Sequence, residues 1–297
     1  MTVGLLAMAY GTPATPDDVE AYYTHIRRGR QPAPEQLADL SRRYAAIGGI
    51  SPLLAITRAQ CARLQAALGD EFRVVLGQKH AAPFIEDGVR ALADAGVSEI
   101  VGLVLAPHYS AMSIGQYADR LAKAAAGAGL PATTVESWHT LPAYVTFLAA
   151  AVGAALVEVP AGAEVVFTAH SLPQRITETG DPYPDQLRET AVEVVGRLGL
   201  DRWSVGWQSA GRTPEPWLGP DVLDIVRGRA AAGSPGIVVC ACGFTADHLE
   251  VLYDLDIEAR QVAEAAGLPF ARTRSLGDDP AVFAALADVV RQHARGA

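Results

Sequence analysis

The sequence has little cysteine: its 297 residues include only Cys61, Cys240 and Cys242. So few cysteines, and an odd number of them, exclude the disulfide framework that is typical of small secreted proteins. Three thiolates also fall short of the four that usually hold an iron–sulfur cluster, so we expect no [2Fe–2S] centre. Cys240 and Cys242 alternate along an apolar stretch, which predicts two small buried side chains on one face of a strand.

Long apolar runs and several well-known motifs are also missing. No apolar stretch reaches the roughly 18–20 residues that span a bilayer, and the first residues, MTVGLLAMAYGTP, lack the basic start of a secretory signal. We therefore expect a cytoplasmic protein. The sequence has no GxGxxG, P-loop or HExxH pattern, no zinc-site spacing, and no nucleophile elbow around His170 and Ser171.

Positive charge is scarce overall but concentrated in one segment. The formal net charge is −9, which argues against nucleic acid or an anionic membrane as the main partner. Between residues 24 and 43, however, five arginines are accompanied by only two acidic residues. This basic patch either binds a specific anionic ligand or is the solvated face of a helix, and composition alone does not separate the two.

The sequence does contain a regular alternation of apolar strands and helical segments. Near-continuous apolar strands separated by helices are typical of parallel sheets covered on both faces, so we predict an α/β protein with doubly wound sheets. The stretch GLLAMAYGTP (4–13) is similar to EVVFTAHSLP (164–173), and the chain length suits two domains. We predict Rossmann-like domains at residues 1–150 and 151–269, hinged near 150–163. The predicted strands are 3–10, 72–78, 99–107, 132–137, 164–170, 203–208 and 236–242.

The carboxyl ends of the predicted strands carry most of the reactive side chains. In doubly wound sheets, ligands bind beyond those ends. We therefore expect one cleft there, between the two halves of the chain. This rule brings together Tyr10, Lys79, His80, His108, His170, Ser209 and the segment 243–250.

The segment DHLEVLYDLDIEAR, residues 247–260, places three carboxylates on one face of a predicted helix. Glu250, Asp254 and Glu258 are four residues apart, and like charges at that spacing cost a helix about 0.2–0.5 kcal/mol per pair. The three residues are either a solvated helix face or part of a site. With His170 at the same cleft, imidazole and carboxylate together suit Fe²⁺, Co²⁺ or Zn²⁺, and the other carboxylates would pass a hydrated cation inward.

Several long and unusual stretches follow the order in which they occur in one protein family. They resemble the ferrochelatases over almost the whole chain, in particular the short, soluble coproporphyrin ferrochelatases of Gram-positive bacteria. The resemblance implies two similar Rossmann-like domains around a porphyrin cleft, with a C-terminal helix, residues 270–297, that packs back on the first domain. The matching stretches are MAYGTP (8–13), YYTHIRRGR (22–30), RYAAIGGISPL (43–53), GQKHAAPFIED (77–87), LAPHYS (105–110), AHSLP (169–173), GDPYPDQL (180–187), GWQSAGRTPEPWLGPDV (206–222) and GFTADHLEVLYD (243–254).

The resemblance also implies roles for individual residues near the metal. His170 and Glu250 match the pair that receives Fe²⁺ and takes part in removing the two pyrrole protons. Tyr10 matches a residue that faces the other side of the macrocycle and can ligate iron in the product. Lys79 and His80 match a cleft position that has been linked to metal selectivity.

Further roles are implied for residues around the porphyrin and on the acidic segment. Asp254 and Glu258, with Arg43 nearby, match an outer site for a hydrated divalent cation such as Mg²⁺. Coproporphyrin III carries four propionates, and Arg–carboxylate pairs are strong, so the basic patch suits this substrate. The family's porphyrin contacts match Ile26, Arg27, Arg28, Arg43, Ser51, Tyr117 and Ser209, with Tyr10, Lys79 and His80 beside them.

The implied reaction inserts Fe²⁺ into coproporphyrin III and gives Fe-coproporphyrin in haem biosynthesis, which makes the protein a lyase. Iron is then a substrate, and no permanently bound cofactor is expected. We expect no nucleic-acid partner, no stable membrane association, a monomer, and at most transient contact with neighbouring haem-pathway enzymes. The alternatives are a protoporphyrin IX ferrochelatase, a cobalt chelatase acting on sirohydrochlorin, and a non-catalytic porphyrin or haem carrier.

Overall fold

The computed structural model describes residues 2–211 and 213–296 of the chain. In this part of the chain, eight strands form two four-stranded sheets in which every pairing is parallel. The strands are β1 (Val3–Ala9), β2 (Phe72–Gln78), β3 (Ile100–Val104), β4 (Ala132–Val135), β5 (Glu164–His170), β6 (Trp203–Gln208), β7 (Ile237–Cys240) and β8 (Phe270–Arg272).

The two sheets have the same strand order. The first is ordered β2-β1-β3-β4 and the second β6-β5-β7-β8, so both read 2-1-3-4 when counted from the first strand of each half. This is the beginning of the flavodoxin-like doubly wound order, in which the strand order reverses beside the first strand and ligands bind at that point. The predicted α/β fold class is confirmed, and β1 and β5, the two similar stretches of the sequence, occupy equivalent positions.

Helices connect the strands and cover the sheets. Among the described residues, none of them is both long enough and apolar enough to cross a bilayer. Short 3₁₀ turns occupy Pro16–Asp18, Gly69–Glu71 and Gln174–Thr179. The helices are α1 (Val19–Ile26), α2 (Pro34–Ala46), α3 (Leu53–Leu68), α4 (Ile85–Asp94), α5 (Ile114–Gly127), α6 (Pro142–Leu156), α7 (Tyr183–Leu198), α8 (Val222–Ala231), α9 (Leu249–Val251), a π-helix (Leu252–Ala259), α10 (Arg260–Ala265) and α11 (Pro280–Gly296).

The central strands are buried on both faces, which explains their almost uninterrupted apolar sequences. In β1, Leu5 and Leu6 point to opposite faces and neither is exposed to solvent. The largest apolar cluster contains Leu5 of β1, Val165 of β5 and Val290 of α11. The two halves of the chain therefore share one hydrophobic core, and the predicted division into domains at residue 150 stays a prediction.

The C-terminal part of the chain differs from the predicted continuous helix over 270–297. Residues 270–272 form β8, the edge strand of the second sheet, and α11 begins only at Pro280. Residue 297 lies outside the described residues. The strand escaped the sequence analysis because three residues are too few to show a two-residue hydrophobic period. Helix α11 does pack against α3 in the first half of the chain, as the resemblance implies.

The acidic segment is helical, but it is not the regular α-helix that its apolar spacing predicts. Only Leu249–Val251 is α-helical before the wider π-helix begins at Leu252. The side-chain amide of Gln208 donates to the backbone carbonyl of Glu250 at 3.2 Å, the group that an α-helix would pair with the N–H of residue 254. A side chain that inserts into the helical hydrogen-bond ladder is a known cause of such local distortion, and π-helical turns are frequent at functional sites.

Candidate active site

The strand ends bring the predicted residues to one edge of each sheet. Tyr10 follows β1, and His170 is the last residue of β5, the equivalent strand of the second sheet. Tyr10 is 43% exposed although it is a large aromatic residue. Desolvation by its surroundings, followed by the negative charge of Glu250, raises the pKa of the Tyr10 hydroxyl. Glu250 belongs to the second half, so this influence on the Tyr10 pKa acts between the two halves.

Direct contacts also hold the two halves together at this edge. Arg43 Nη1 lies 3.7 Å from Asp254 Oδ1, and the Arg43 guanidinium stands 4.8 Å from the ring centre of Tyr253. The hydroxyl of Thr245 donates to the carbonyl of Leu105 at 2.9 Å. Residues of both halves therefore form the walls of the cleft, as expected if ligands bind beyond the carboxyl ends of the strands of both sheets.

His170 and Glu250 form the central pair of the cleft. His170 Nε2 lies 3.5 Å from Glu250 Oε1. His170 Nδ1 is hydrogen-bonded to the carbonyl of Ser171, and the hydroxyl of Tyr183 donates to the carbonyl of His170 at 3.0 Å. Since a carbonyl can only accept, Nδ1 carries a proton and Nε2 is the nitrogen that faces the carboxylate and any metal.

His248 is a second imidazole beside Glu250 that the sequence analysis did not assign. Its Nε2 lies 3.5 Å from Glu250 Oε2, while its Nδ1 is 3.0 Å from the carbonyl of Ala246 and its ring packs 4.9 Å from that of Phe244. Each oxygen of Glu250 therefore has its own histidine. Its position in the sequence, two residues before Glu250, could have indicated this role. In the structure, His248 is the extended residue that directly precedes α9.

The pairing of His170 and Glu250 shifts both protonation equilibria. Desolvation alone lowers the pKa of His170, but the charge and hydrogen bond of Glu250 and the Ser171 carbonyl raise it to about 9. Desolvation likewise raises the pKa of Glu250, but His170 and His248 hold it well below its usual range. At neutral pH the substrate-free pair is imidazolium and carboxylate. Both side chains are about one third exposed, 34% and 37%, so solvent screens the attraction between them.

The carboxylate of Asp254 is not exposed to solvent, as it would be if the three acidic residues only formed a solvated helix face. The residue is only 7% exposed, its carboxylate accepts a hydrogen bond from the hydroxyl of Ser209, and Arg43 stands beside it. Burial, followed by the charge of Glu250, raises the pKa of Asp254 to about 7, against the opposing effects of Ser209 and Arg43. Ser209, predicted to contact porphyrin, is thus a partner of Asp254 here.

Glu258 lies one step further along the π-helix. It is partly buried, and its charge also contributes to the raised pKa of Asp254. Within residues 2–211 and 213–296, no three His, Cys, Asp or Glu side chains form a group that could hold a metal ion by themselves. The outer Mg²⁺ site at Asp254 and Glu258 therefore stays a prediction.

The opposite wall of the cleft is aromatic and basic. The ring of His80 lies 4.6 Å from that of Tyr10, and His80 Nδ1 is 3.0 Å from His25 Nδ1. Lys79 Nζ donates to the side-chain carbonyl of Gln116 at 2.7 Å. Desolvation, then the charges of Arg120 and Arg28, lowers the pKa of Lys79 to about 8. A nearby carboxylate would therefore stabilise the charged form of Lys79.

The arginines of the patch differ in whether a carboxylate pairs with them. Arg27 and Arg28 directly follow α1, and Arg28 has a left-handed backbone with φ of 57°, a conformation uncommon for residues other than glycine. Arg27 Nε donates to the carbonyl of Arg30 at 3.3 Å. Arg43, by contrast, is placed between two carboxylates, with its Nε 3.2 Å from Asp39 and its Nη1 near Asp254. The charge of Arg43 is thus already balanced by carboxylates of the protein.

Three predicted residues are less available than their assignment implies. Ser51 is 6% exposed and its hydroxyl accepts from the Leu53 N–H at 3.2 Å. Tyr117 is 4% exposed beneath Lys79, whose ammonium stands 4.9 Å from the ring centre. Ile26, the last residue of α1, is partly buried. These three side chains are therefore largely covered by the protein itself.

His108 does not belong to the cleft, which corrects the expectation from the strand-end rule. It is 2% exposed, its Nε2 is 2.9 Å from the hydroxyl of Thr190, and burial lowers its pKa to about 3. The rings of His139 and Tyr183 pack against it. His108 is a core histidine because the chain turns inward after β3 toward α7 instead of continuing to the cleft.

Comparisons with known proteins agree with this geometry. The sequence model of the family Ferrochelatase matches residues 2–294. A coproporphyrin III ferrochelatase of Geobacillus kaustophilus is 48% identical over 300 residues, covering 97% of this chain and 95% of the relative. One of Bacillus subtilis is 46% identical over 299 residues, with coverages of 97% and 96%.

Solved structures support the fold. The protein SirB from Bacillus subtilis with Fe³⁺ has a TM-score of 0.61 at 13% identity, covering 100% of this chain and 98% of that chain. CbiX, the terminal enzyme for biosynthesis of sirohaem in denitrifying bacteria, has a TM-score of 0.56 at 16% identity, with coverages of 98% and 99%. At these identities the likeness concerns the fold alone. The full-length family match and the close relatives, in contrast, assign the chain itself: it belongs to the ferrochelatase family.

Proposed function

We propose that this chain inserts Fe²⁺ into coproporphyrin III to give Fe-coproporphyrin, a lyase reaction of haem biosynthesis. The observation that carries the proposal is the approach of His170 Nε2, at the end of β5, to within 3.5 Å of Glu250 Oε1. Relatives 46–48% identical over nearly the whole chain are named coproporphyrin III ferrochelatases. We place the protein in the cytoplasm as a single chain with only transient partners.

Metal binding in this proposal begins with the loss of a proton from His170. The imidazole has a pKa of about 9 in the substrate-free cleft, and only its neutral form can ligate a metal. An incoming Fe²⁺ replaces that proton as the positive partner of Glu250, so the carboxylate stays paired throughout. Imidazole and carboxylate are suitable first ligands for Fe²⁺.

The same two residues then take part in the proton balance of insertion. Fe²⁺ and a porphyrin with two pyrrole N–H groups give Fe-porphyrin and two protons. As iron moves from the pair to the four pyrrole nitrogens, His170 regains the ability to accept one proton, and Glu250 relays the second toward His248 or water. His248, 3.5 Å from the second oxygen of Glu250, is in position to pass a proton onward.

The walls of the cleft serve to hold and bend the macrocycle. A flat porphyrin shields its nitrogen lone pairs, so a cleft that distorts it exposes them to a metal on one face. Part of the binding energy, about 1–5 kcal/mol, is then converted into that distortion. Tyr10 supports the face opposite the metal, and its raised hydroxyl pKa keeps it neutral until iron is present.

The preference for coproporphyrin rests on charge. Its four propionates meet Arg27, Arg28 and Lys79 on the basic wall, and a carboxylate near Lys79 restores the pKa that its surroundings lower. Arg43 contributes less to recognition because Asp39 and Asp254 already balance its charge. A dicarboxylate such as protoporphyrin IX leaves part of this wall without a partner.

Asp254 and Glu258 form the entry path for the cation in this proposal. A divalent ion entering along the π-helix would lower the raised pKa of Asp254, which is about 7, by direct attraction. Mg²⁺ keeps several waters and accepts one or two carboxylates. It would therefore occupy the outer end of the path, near Glu258, and leave Glu250 to iron.

The direct test is anaerobic incubation of the purified chain with Fe²⁺ and either coproporphyrin III or protoporphyrin IX, followed by absorption spectroscopy. We expect Fe-coproporphyrin to form and the protoporphyrin reaction to be much slower. Tight porphyrin binding without insertion of any metal would instead make the chain a carrier. Faster insertion into protoporphyrin would overturn the assigned substrate.

A further inference from the structure

Arg272 connects two parts of the acidic segment from outside the cleft. It is the last residue of the edge strand β8, and its side chain is only 13% exposed. Its Nε and Nη2 donate to the two oxygens of Asp256 at 2.6 and 2.7 Å. Its Nη1 lies 3.2 Å from Asp247 and donates to the carbonyl of Thr273 at 3.1 Å. One planar guanidinium therefore holds two carboxylates at once.

The two carboxylates lie on either side of the reactive residues. Asp247 immediately precedes His248, and Asp256 is in the π-helix two residues after Asp254. Glu250 lies between them in the chain. The hydroxyl of Ser275 also donates to Asp247 at 2.6 Å, so the same short C-terminal stretch fixes the start of the segment twice. Arg272 thus connects the two ends of the segment that contains Glu250 and Asp254.

This segment needs an external restraint for two physical reasons. Its π-helical turns are rare and less well bonded than α-helical ones, and Glu250, Asp254 and Glu258 repel one another along it. A side chain with five donors in a rigid planar fork is well suited to restrain two carboxylates, whereas the ammonium of a lysine is a compact point charge. The restraint comes from β8, which is anchored by parallel pairing to β7.

We propose that Arg272 is a positioning residue that holds Glu250 and Asp254 at the spacing needed to transfer Fe²⁺ along the π-helix. It does not touch the cleft contents itself. It acts by fixing Asp247 and Asp256, and thereby the direction in which the intervening carboxylates point. This inference rests on the proposed iron-insertion function, but the restraint that Arg272 places on the segment can be measured without any substrate.

A second arginine clamp in the same half provides a matched control. Arg229 of α8 lies 2.6 Å from one oxygen of Glu164 through Nε and donates to the other at 2.8 Å through Nη2. The hydroxyl of Ser204 donates to Glu164 at 2.6 Å, much as Ser275 donates to Asp247. Glu164 is the first residue of β5, so this clamp lies at the opposite end of the strand from His170.

The experiment compares Arg272→Lys with Arg229→Lys by hydrogen–deuterium exchange and by steady-state insertion kinetics. In the metal-free and porphyrin-free protein, we expect Arg272→Lys to speed amide exchange in residues 247–260 and Arg229→Lys to leave it unchanged. In the insertion assay, Arg272→Lys should lower kcat/KM for Fe²⁺ by about ten- to a hundredfold, because small misplacements of reacting groups are costly. Porphyrin affinity should be unchanged in both variants.

Single substitutions of the two carboxylates separate the contact of Arg272 with Asp247 from its contact with Asp256. Asp256→Asn should act mainly on the π-helix and raise the KM for Fe²⁺, whereas Asp247→Asn should act on the start of the helix and lower kcat. These variants retain Arg272 and also serve as the test if Arg272→Lys does not fold. Equal losses in Arg272→Lys and Arg229→Lys, or wild-type exchange and kinetics in Arg272→Lys, would overturn the proposal. If the wild type itself inserts no iron, the proposed function fails, and the exchange data still decide whether the clamp exists.

Discussion

At the scale of single residues, the site is organised by how its carboxylates are paired. Glu250 is held ionised by His170 and His248, whereas Asp254, four residues on, is buried with a pKa raised to about 7. Two neighbouring carboxylates of one helix therefore differ in protonation behaviour. Environments that push the pKa values of two titratable groups apart are typical of sites that handle protons and metal ions.

The raised pKa of Asp254 predicts an effect on stability in the metal-free protein. An unfolded aspartate loses its proton near 3.8, whereas folded Asp254 retains it to about 7. Folding therefore binds a proton between these values, and this contribution to stability is lost as pH rises through that window. The variant Asp254→Asn has no such loss. Its Tm should exceed that of the wild type by about 2–6 °C at pH 8, with a smaller difference toward pH 4, measured by calorimetry.

The control for that experiment is Asp224→Asn, which removes an exposed carboxylate of α8 that pairs with Arg227. Its Tm difference from the wild type should be small and should not grow between pH 4 and pH 8. A pH-independent difference for Asp254→Asn as well would show that Asp254 is an ordinary ionised carboxylate in the folded protein.

The basic wall predicts discrimination between porphyrins. Arg28→Gln removes one partner of a propionate, which costs about 1.5–3 kcal/mol for a charged hydrogen bond. The loss of affinity should be larger for coproporphyrin III than for protoporphyrin IX, measured by fluorescence quenching. Arg42→Gln is the matched control because Arg42 belongs to the same patch but is 68% exposed and pairs with Asp39. Equal losses for both porphyrins in Arg28→Gln would show that Arg28 does not recognise propionates.

At the scale of the element, the π-helix is the feature that the sequence predicts least well. The spacing of Glu250, Asp254 and Glu258 predicts a helix with its acidic residues on one face, and a helix is present. The wider turns depend on the side chain of Gln208, which reaches the Glu250 carbonyl from β6. A contact between residues 42 positions apart cannot be read from local periodicity, so only the structure reveals it.

The proposed entry path at Asp254 and Glu258 predicts a specific change in how the insertion rate depends on the Fe²⁺ concentration. In Asp254→Asn/Glu258→Gln, His170 and Glu250 remain, so kcat at saturating Fe²⁺ should change little. Loss of two carboxylates from the entry path should raise the apparent KM for Fe²⁺ by about tenfold, which corresponds to 1.4 kcal/mol, and should weaken any effect of Mg²⁺ on the rate.

The companion variant Asp224→Asn/Glu193→Gln removes the same number of charges from exposed positions, and it should keep the iron dependence of the wild type. If the two double variants have the same KM for Fe²⁺, Asp254 and Glu258 act only through the overall charge of the protein.

At the scale of the whole molecule, the fold was largely predictable and the contacts between halves were not. Seven strands follow from apolar runs, and the repeat of β1 and β5 follows from their similar sequences. The short strand β8 is missed because tertiary packing decides it. Likewise, His170 and Glu250 are predictable from their motifs, whereas the burial of Asp254 depends on residues distant in sequence.

One such contact between halves predicts a stability effect. Asp181, in the stretch before α7, accepts hydrogen bonds from the hydroxyl of Ser110 at 2.9 Å and from the N–H of Ala111 at 2.8 Å. Asp181→Ala leaves these donors without their acceptor, at a cost of about 1–3 kcal/mol. A Tm lower by about 2–6 °C is expected by calorimetry. Asp185→Ala, also near the start of α7, should have little effect, and equal Tm values for the two variants would contradict a stabilising role of the Asp181 contacts.

The central claim is that His170 and Glu250 act together on iron and protons, and do not bind the propionates. Its most direct test is insertion of Fe²⁺ into coproporphyrin III by His170→Ala, Glu250→Gln and the double variant, with porphyrin affinity measured on the same samples. We predict that each single variant loses most of its turnover, that the double variant loses little more because the pair works as a unit, and that all three bind porphyrin as tightly as the wild type. Near-normal turnover in His170→Ala would contradict the claim and remove His170 from the reaction.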